Sequence, residues 1–107
     1  MKKSDQRIVE QIKETLKEVY RPKRLFLFGS RATGKARKDS DFDFVMVVPG
    51  AKKTSLDEMG KAISLVWERH QVSADVFIYS EKEFDEWKGE FNSIPEVALN
   101  TGQEIKL

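Results

Sequence analysis

The chain has 107 residues, enough for one core, with 39% hydrophobic and 35% charged residues, the composition of a well-solvated globular domain. A net charge of +1 gives it no general attraction to nucleic acid or to a membrane surface. The absence of cysteine excludes disulfides, thiolate catalysis and zinc–thiolate sites, and no apolar run approaches the length of a membrane span.

Ser4 or Asp5 caps a first helix whose inward stripe is Ile8, Ile12, Leu16 and Val19, and Pro22 stops it. The opening segment MKKSDQRIVE has no apolar signal-peptide core, so the expected location is cytoplasmic. Leu25–Phe28 is a short continuous apolar run, which predicts a strand buried on both faces. Gly29 ends it, lacking the Cβ that would block a tight turn or a close backbone approach. Ser30 then offers a hydroxyl and a backbone N–H at the start of a short helical turn, where unpaired N–H groups favour anions. By itself this is an ordinary strand-to-helix turn. From Arg21 to Lys38 the chain carries seven basic residues and no acid. That run suits an anion site around the turn, and it reads equally well as a solvated basic loop.

The next strand changes the balance. Phe42, Phe44, Met46 and Val48 alternate with Asp41, Asp43, Val45 and Val47 across a predicted strand Asp41–Val48. Successive side chains point to opposite faces, so Asp41 and Asp43 share one, with Cα atoms roughly 6.5–7 Å apart. Paired acids leading into a core strand repel and cost desolvation energy unless a cation joins them. Hard oxygen ligands of this kind suit Mg²⁺ or Mn²⁺, with phosphate oxygens and water completing the shell. Asp39 and Ser40 need only be a polar turn, whereas Asp43 lies inside the apolar pattern.

Pro49-Gly50 is a turn, and Ser55 with Glu58 forms a capping box for a helix to about His70, with Met59, Ile63, Val66 and Trp67 facing inward. His70, the only histidine, is a helix C-terminal residue favoured by the dipole rather than a catalyst. Ala74–Tyr79 is a further strand with Asp75 near its start, so the three acids meet at one sheet edge if the two strands are neighbours. Ser80 with Glu83 opens a helix burying Phe84 and Trp87. Ser93 with Glu96 opens a last one ended by Gly102, and Ile105–Leu107 is a candidate edge strand. Trp67 and Trp87 fit core stripes, with a partner surface as the alternative. No repeat, low-complexity segment or linker divides the chain. The order α-β-β-α-β-α-α predicts a single α/β (α+β) domain over residues 1–107, a mixed β-sheet with helices packed on one side.

Two familiar motifs are imitated and fail. Gly29–Lys35 reads G-x-x-x-x-G-K, but Ala36 stands where a P-loop needs Ser or Thr, and a strand rather than a long helix follows. Asp39-x-Asp41-x-Asp43 begins like an EF-hand loop, but Phe44 occupies the position of its turn glycine.

Gly29-Ser30, Gly34, the Asp41-x-Asp43 strand and the later Asp75 together resemble the minimal nucleotidyltransferases of the DNA polymerase beta superfamily. The likeness covers about Leu25–Tyr79 in order and spacing. It implies a nucleotidyltransferase-like fold in which Gly29 and Ser30 hold a nucleoside triphosphate and Asp41 and Asp43 bind Mg²⁺ or Mn²⁺. Asp75 becomes the third carboxylate, bridging a metal and helping to deprotonate the acceptor hydroxyl. Many members carry Ala-Arg-Gly where this chain has Ala32-Thr33-Gly34, so Arg31 or Lys35 is expected to supply the missing charge. The length leaves no second domain to grip a tRNA, a duplex or a drug, so the acceptor is expected on a separate protein. Small stand-alone members resemble the antitoxin halves of toxin–antitoxin pairs, whose partner is an all-helical HEPN-type ribonuclease. Some transfer AMP from ATP to a tyrosine of that toxin, and this is the expected function. Two other readings stay open: a binding module that neutralises its partner by contact, and an enzyme acting on a small molecule in a homodimer.

Overall fold

A computed structural model of the chain describes residues 1–50 and 55–107. Helix α1 (Lys3–Tyr20) is followed by strand β1 (Arg24–Phe28), a single turn α2 (Ser30–Thr33) and strand β2 (Phe42–Val48). Then come α3 (Leu56–His70), β3 (Ala74–Ser80), α4 (Glu81–Trp87), α5 (Ile94–Thr101) and a two-residue strand β4 (Gln103–Glu104). The sheet order is β3-β2-β1-β4, with β2 parallel to β3 and both other pairings antiparallel. The parallel pair requires a crossover, and α3 supplies it.

Alternation along the central strands assigns each face its cover. Leu25, Leu27, Phe42, Phe44, Met46, Val76 and Ile78 meet Val9, Ile12 and Leu16 of α1 and Ala62 and Val66 of α3. The opposite residues Phe26, Val45 and Val47 meet Phe84 of α4 and Ala98 of α5, with Phe26 and Phe84 stacked 5.5 Å apart. That ring pair contributes about 0.5–1.5 kcal/mol beyond its burial. The mixed α/β sheet is as the sequence indicated, and α1 and α3 lie on one side of it. The two short helices cover the other side, because Val45 and Val47 make that face apolar as well.

Local differences have local causes. α1 begins at Lys3 without a side-chain cap, since Asp5 is buried in an ion pair instead of capping. Val19, placed in the stripe by periodicity, is 47% exposed near the helix end. Trp67 and Trp87 are not core residues; they are 56% and 51% exposed, at the ends of α3 and α4. The caps at Ser55, Ser80 and Ser93 all accept from the predicted glutamate N–H, and Ser80 and Glu83 close a full capping box. Each such cap stabilises its helix by about 1 kcal/mol. Gly102 ends α5 with its Cα against β1: a Cβ there would lie 2.6 Å from the Leu27 carbonyl oxygen. β4 forms at Gln103–Glu104, two residues before the predicted strand, and an Arg24–Glu104 pair at 2.8 Å ties it to β1.

Candidate active site

The sheet topology brings the predicted residues to one edge. β2 and β3 run parallel in a register that sets Asp43 directly opposite Asp75. β1 runs antiparallel to β2 and ends with Phe28 opposite Asp43, so Gly29 emerges beside that carboxylate. Asp41 lies two residues before Asp43, just outside the strand. Asp41 and Asp75 are exposed and Asp43 is half-buried.

Gly29 is required twice over. Its φ of 77° and ψ of −160° belong to a region essentially restricted to glycine. A Cβ at this position would also stand 2.5 Å from Asp43 Oδ2. Thus the backbone of the turn is pressed against the carboxylate. Gly29 caps α2 without any side-chain bond, while its carbonyl accepts from Ala32 and Thr33. The first N–H groups of the turn therefore have no acceptor within it. Thr33 donates its hydroxyl to the Ser30 carbonyl at 3.3 Å.

Electrostatics mark the same spot. The Asp43 carboxyl is pushed up from 3.8 to about 6, chiefly by burial, then by the charges of Asp75 and Asp41 and a hydrogen bond with Asp75. Like charges around a half-buried acid favour the proton over the bare carboxylate. A divalent cation would relieve the same repulsion. Among the described residues, no group of three or more His, Cys, Asp or Glu side chains is arranged as a ready metal cage. Mg²⁺ does not ask for one, since it commonly takes one or two carboxylates and completes its shell with substrate phosphates and water. The donor set around Asp43 fits that pattern.

The basic residues divide. Lys23 pairs with Glu81 and Arg24 with Glu104, whereas Lys35, Arg37 and Lys38 are exposed and form no ion pair among the described residues. Lys35 is therefore available beside the turn. Arg31, expected to supply charge at the turn, is engaged within the chain. Its guanidinium is engaged by the Ser40 and Lys38 carbonyls, the Asp5 carboxylate and the Phe42 ring, and its side chain is only 13% exposed. These partners hold it among the described residues. Sequence reasoning missed Asp5, taken for a helix cap, and no local pattern signals a partner 26 residues away. It also passed over Phe28 and Phe77, half-buried rings 6.0 Å apart that border the carboxylates on their own face. His70 joins Thr15 at 2.7 Å between α3 and α1, a packing role.

Comparison with known proteins bears on the family and the fold. The nucleotidyltransferase domain family matches residues 9–103. No curated protein sequence matches significantly. Among solved structures, a tyrosine-to-alanine variant of the MntA–HpeT toxin–antitoxin is similar with a TM-score of 0.66 and 13% identity, over 92% of this chain and 71% of that one. A toxin–antitoxin with AMP-PNP gives 0.65 and 15%, over 89% and 70%. A protein from Sulfolobus solfataricus assigned as a nucleotidyltransferase gives 0.57 and 23%, over 75% and 70%. With the family matched over most of its length and the fold shared, this chain belongs to the nucleotidyltransferase domain family.

Proposed function

We propose that this chain transfers AMP from ATP to a hydroxyl group of a separate protein, as the antitoxin to an all-helical HEPN-type toxin. One observation carries the reading: Asp43 stands in register with Asp75 while Gly29 presses its backbone against the Asp43 carboxylate. A triphosphate seated on the Gly29-Ser30 turn then lies beside the acids that would hold its metal. The similar structures support the biological assignment, because two are toxin–antitoxin complexes and one of these contains AMP-PNP.

Asp41, Asp43 and Asp75 are the residues that would hold Mg²⁺ or Mn²⁺. When bound, the cation supplies charge neutralisation for the triphosphate and a lowered pKa for the acceptor hydroxyl. The Ser30 hydroxyl and the open N–H groups of α2 bind phosphate oxygens, and Lys35 adds a mobile positive charge beside them. Asp75, exposed at the start of β3, takes the proton from the acceptor hydroxyl. The acceptor oxygen bonds to the α-phosphorus, the α–β phosphoanhydride bond breaks, and pyrophosphate leaves. Alignment and charge stabilisation do most of the work in transfers of this kind.

A second reading has its own observation. Trp67, Trp87 and Phe91 are large apolar side chains at 56%, 51% and 85% exposure, which favours contact with another protein. Neutralisation of that partner could then occur by contact alone. One experiment separates the two: incubate the purified chain and its co-purifying protein with labelled ATP and Mg²⁺. Transfer of AMP that is lost in Asp41→Asn and Asp43→Asn supports the enzyme. Absence of transfer, with the partner still neutralised by both variants, supports the binding module.

A further inference from the structure

Arg31 directly follows the serine of the proposed phosphate turn, yet its side chain leads away from it. Nε and Nη2 donate to the Ser40 carbonyl at 3.1 and 2.7 Å, and Nη2 also reaches the Lys38 carbonyl at 3.3 Å. The guanidinium carbon lies 4.5 Å from the centroid of the Phe42 ring. Asp41 is thus bracketed, because the residues on either side of it both contact Arg31.

The connection from Gly34 to Asp41 has little structure of its own. It contains no helix or strand, and its internal bonds, Ser40 N–H to the Arg37 carbonyl and Arg37 N–H to Ser40 Oγ, close only a local turn. Anchors from outside are needed. Lys2 Nζ holds the Ala36 carbonyl at 3.2 Å, and Arg31 holds the segment nearest the site. Arg31 is itself fixed from behind by Asp5 on α1, through Nη1 to Oδ1 at 3.2 Å. The Asp5 side chain is 4% exposed, and its other oxygen, Oδ2, is buried without a partner. A buried carboxylate left half-satisfied is an expensive arrangement, and its effect here is to hold one guanidinium in one orientation. A planar fork of donors suits two neighbouring carbonyls in a way that a single ammonium does not.

We propose that Asp5 and Arg31 form a strut fixing Asp41 at a set distance from the Ser30 turn, which makes Arg31 a positioning residue of the site. The proposal deepens the transfer reading given above and rests on it for the kinetic part of its test. Metal-dependent sites tolerate displacements of only about 0.5 Å in their ligands, so the strut governs how well Asp41 meets the cation.

The test uses two conservative variants of the intact chain. Arg31→Lys keeps the charge and removes the fork, and Asp5→Asn keeps the shape and removes the anion. Each should quicken amide exchange at Ser40 and Phe42, by about tenfold for Arg31→Lys, with circular dichroism unchanged. With the acceptor protein present, Arg31→Lys should lower the rate at saturating ATP by about tenfold and raise the Mg²⁺ concentration for half-maximal rate, while excess Mg²⁺ restores part of it. Metal-free triphosphate affinity should stay within about twofold, since the strut touches no phosphate. Quickened exchange in a chain whose wild type transfers nothing would uphold the strut while removing the proposed activity. Unchanged exchange at Ser40 and Phe42 would overturn the strut. A loss confined to triphosphate affinity would also overturn it, making Arg31 a phosphate contact.

Discussion

Two groups of charges sit at the same edge of the sheet, one on each face, and the fold treats them in opposite ways. On the α1 side, Asp5 and Arg31 are buried together and joined at 3.2 Å. On the opposite face, Asp41, Asp43 and Asp75 crowd together, and burial with the charges of Asp75 and Asp41 pushes the Asp43 carboxyl up to about 6. Both arrangements cost desolvation. The first is balanced inside the chain, and removing one partner would cost about 3–5 kcal/mol because a buried charge would be stranded. The second is left unbalanced among the described residues, and in the proposed site a bound cation would relieve it. A cluster of like charges that the fold tolerates without neutralising is a functional signal, whereas an ion pair of opposite charges acts on the site only through the residues it positions.

If that contrast is right, disturbing the unbalanced group should change chemistry far more than stability. Asp75→Asn should slow transfer about 100-fold while changing nucleotide affinity less than threefold, because a proton acceptor acts mainly in the transition state. Single-turnover rates beside equilibrium binding would show this, and wild-type rates in the variant would remove Asp75 from the mechanism. Gly29→Ala comes next. Its methyl group would have to displace the Asp43 carboxylate from 2.5 Å while adopting a φ of 77°. Backbone strain of about 1–3 kcal/mol should lower the melting temperature, and transfer should fall at least about tenfold. An alanine variant with normal melting and normal rate would mean that the close approach is incidental.

These expectations also show what the sequence could carry. Period-two alternation placed Asp43 on its face, and Gly-Ser followed by Asp-x-Asp marked both sides of the candidate site. The cap residues Ser55, Ser80 and Ser93 were legible for the same reason, since each acts within four residues of itself. What escaped was long-range. The destination of Arg31 depends on Asp5, 26 residues earlier, and on a loop that returns past it. The exposure of Trp67 and Trp87 depends on where α3 and α4 end relative to the sheet, which helical periodicity does not report. The placement of α4 and α5 on the second face followed from Val45 and Val47, apolar residues on the side that carries the acids.

Ser30→Ala should weaken triphosphate binding about tenfold and leave metal binding in place, because in the proposed site the hydroxyl binds phosphate rather than cation. Equal triphosphate affinity would reduce the Gly-Ser turn to a structural element. Stability should carry the mildest signature. With the folded acid titrating near 6 and the unfolded one near 3.8, the folded chain binds the extra proton between those values. Stability of the metal-free protein should therefore fall as pH rises from about 4 to about 6, and solvent screening at a half-exposed site limits the loss to about 1 kcal/mol. Asp43→Asn should abolish the dependence and leave the protein about 1 kcal/mol more stable at neutral pH. Urea unfolding across that range measures both, and a variant with the wild-type pH profile would assign the dependence elsewhere.

The central claim is that the carboxylates and the Gly-Ser turn form one site whose two parts are joined by a metal-bound triphosphate. Calorimetric titration with ATP, with and without Mg²⁺, on the wild-type chain and on Asp43→Asn addresses it most directly. Binding should be strong in the wild type only when Mg²⁺ is present, and in Asp43→Asn it should fall with Mg²⁺ to the weak metal-free level. Nucleotide binding of equal strength with and without Mg²⁺, unchanged in Asp43→Asn, would contradict it.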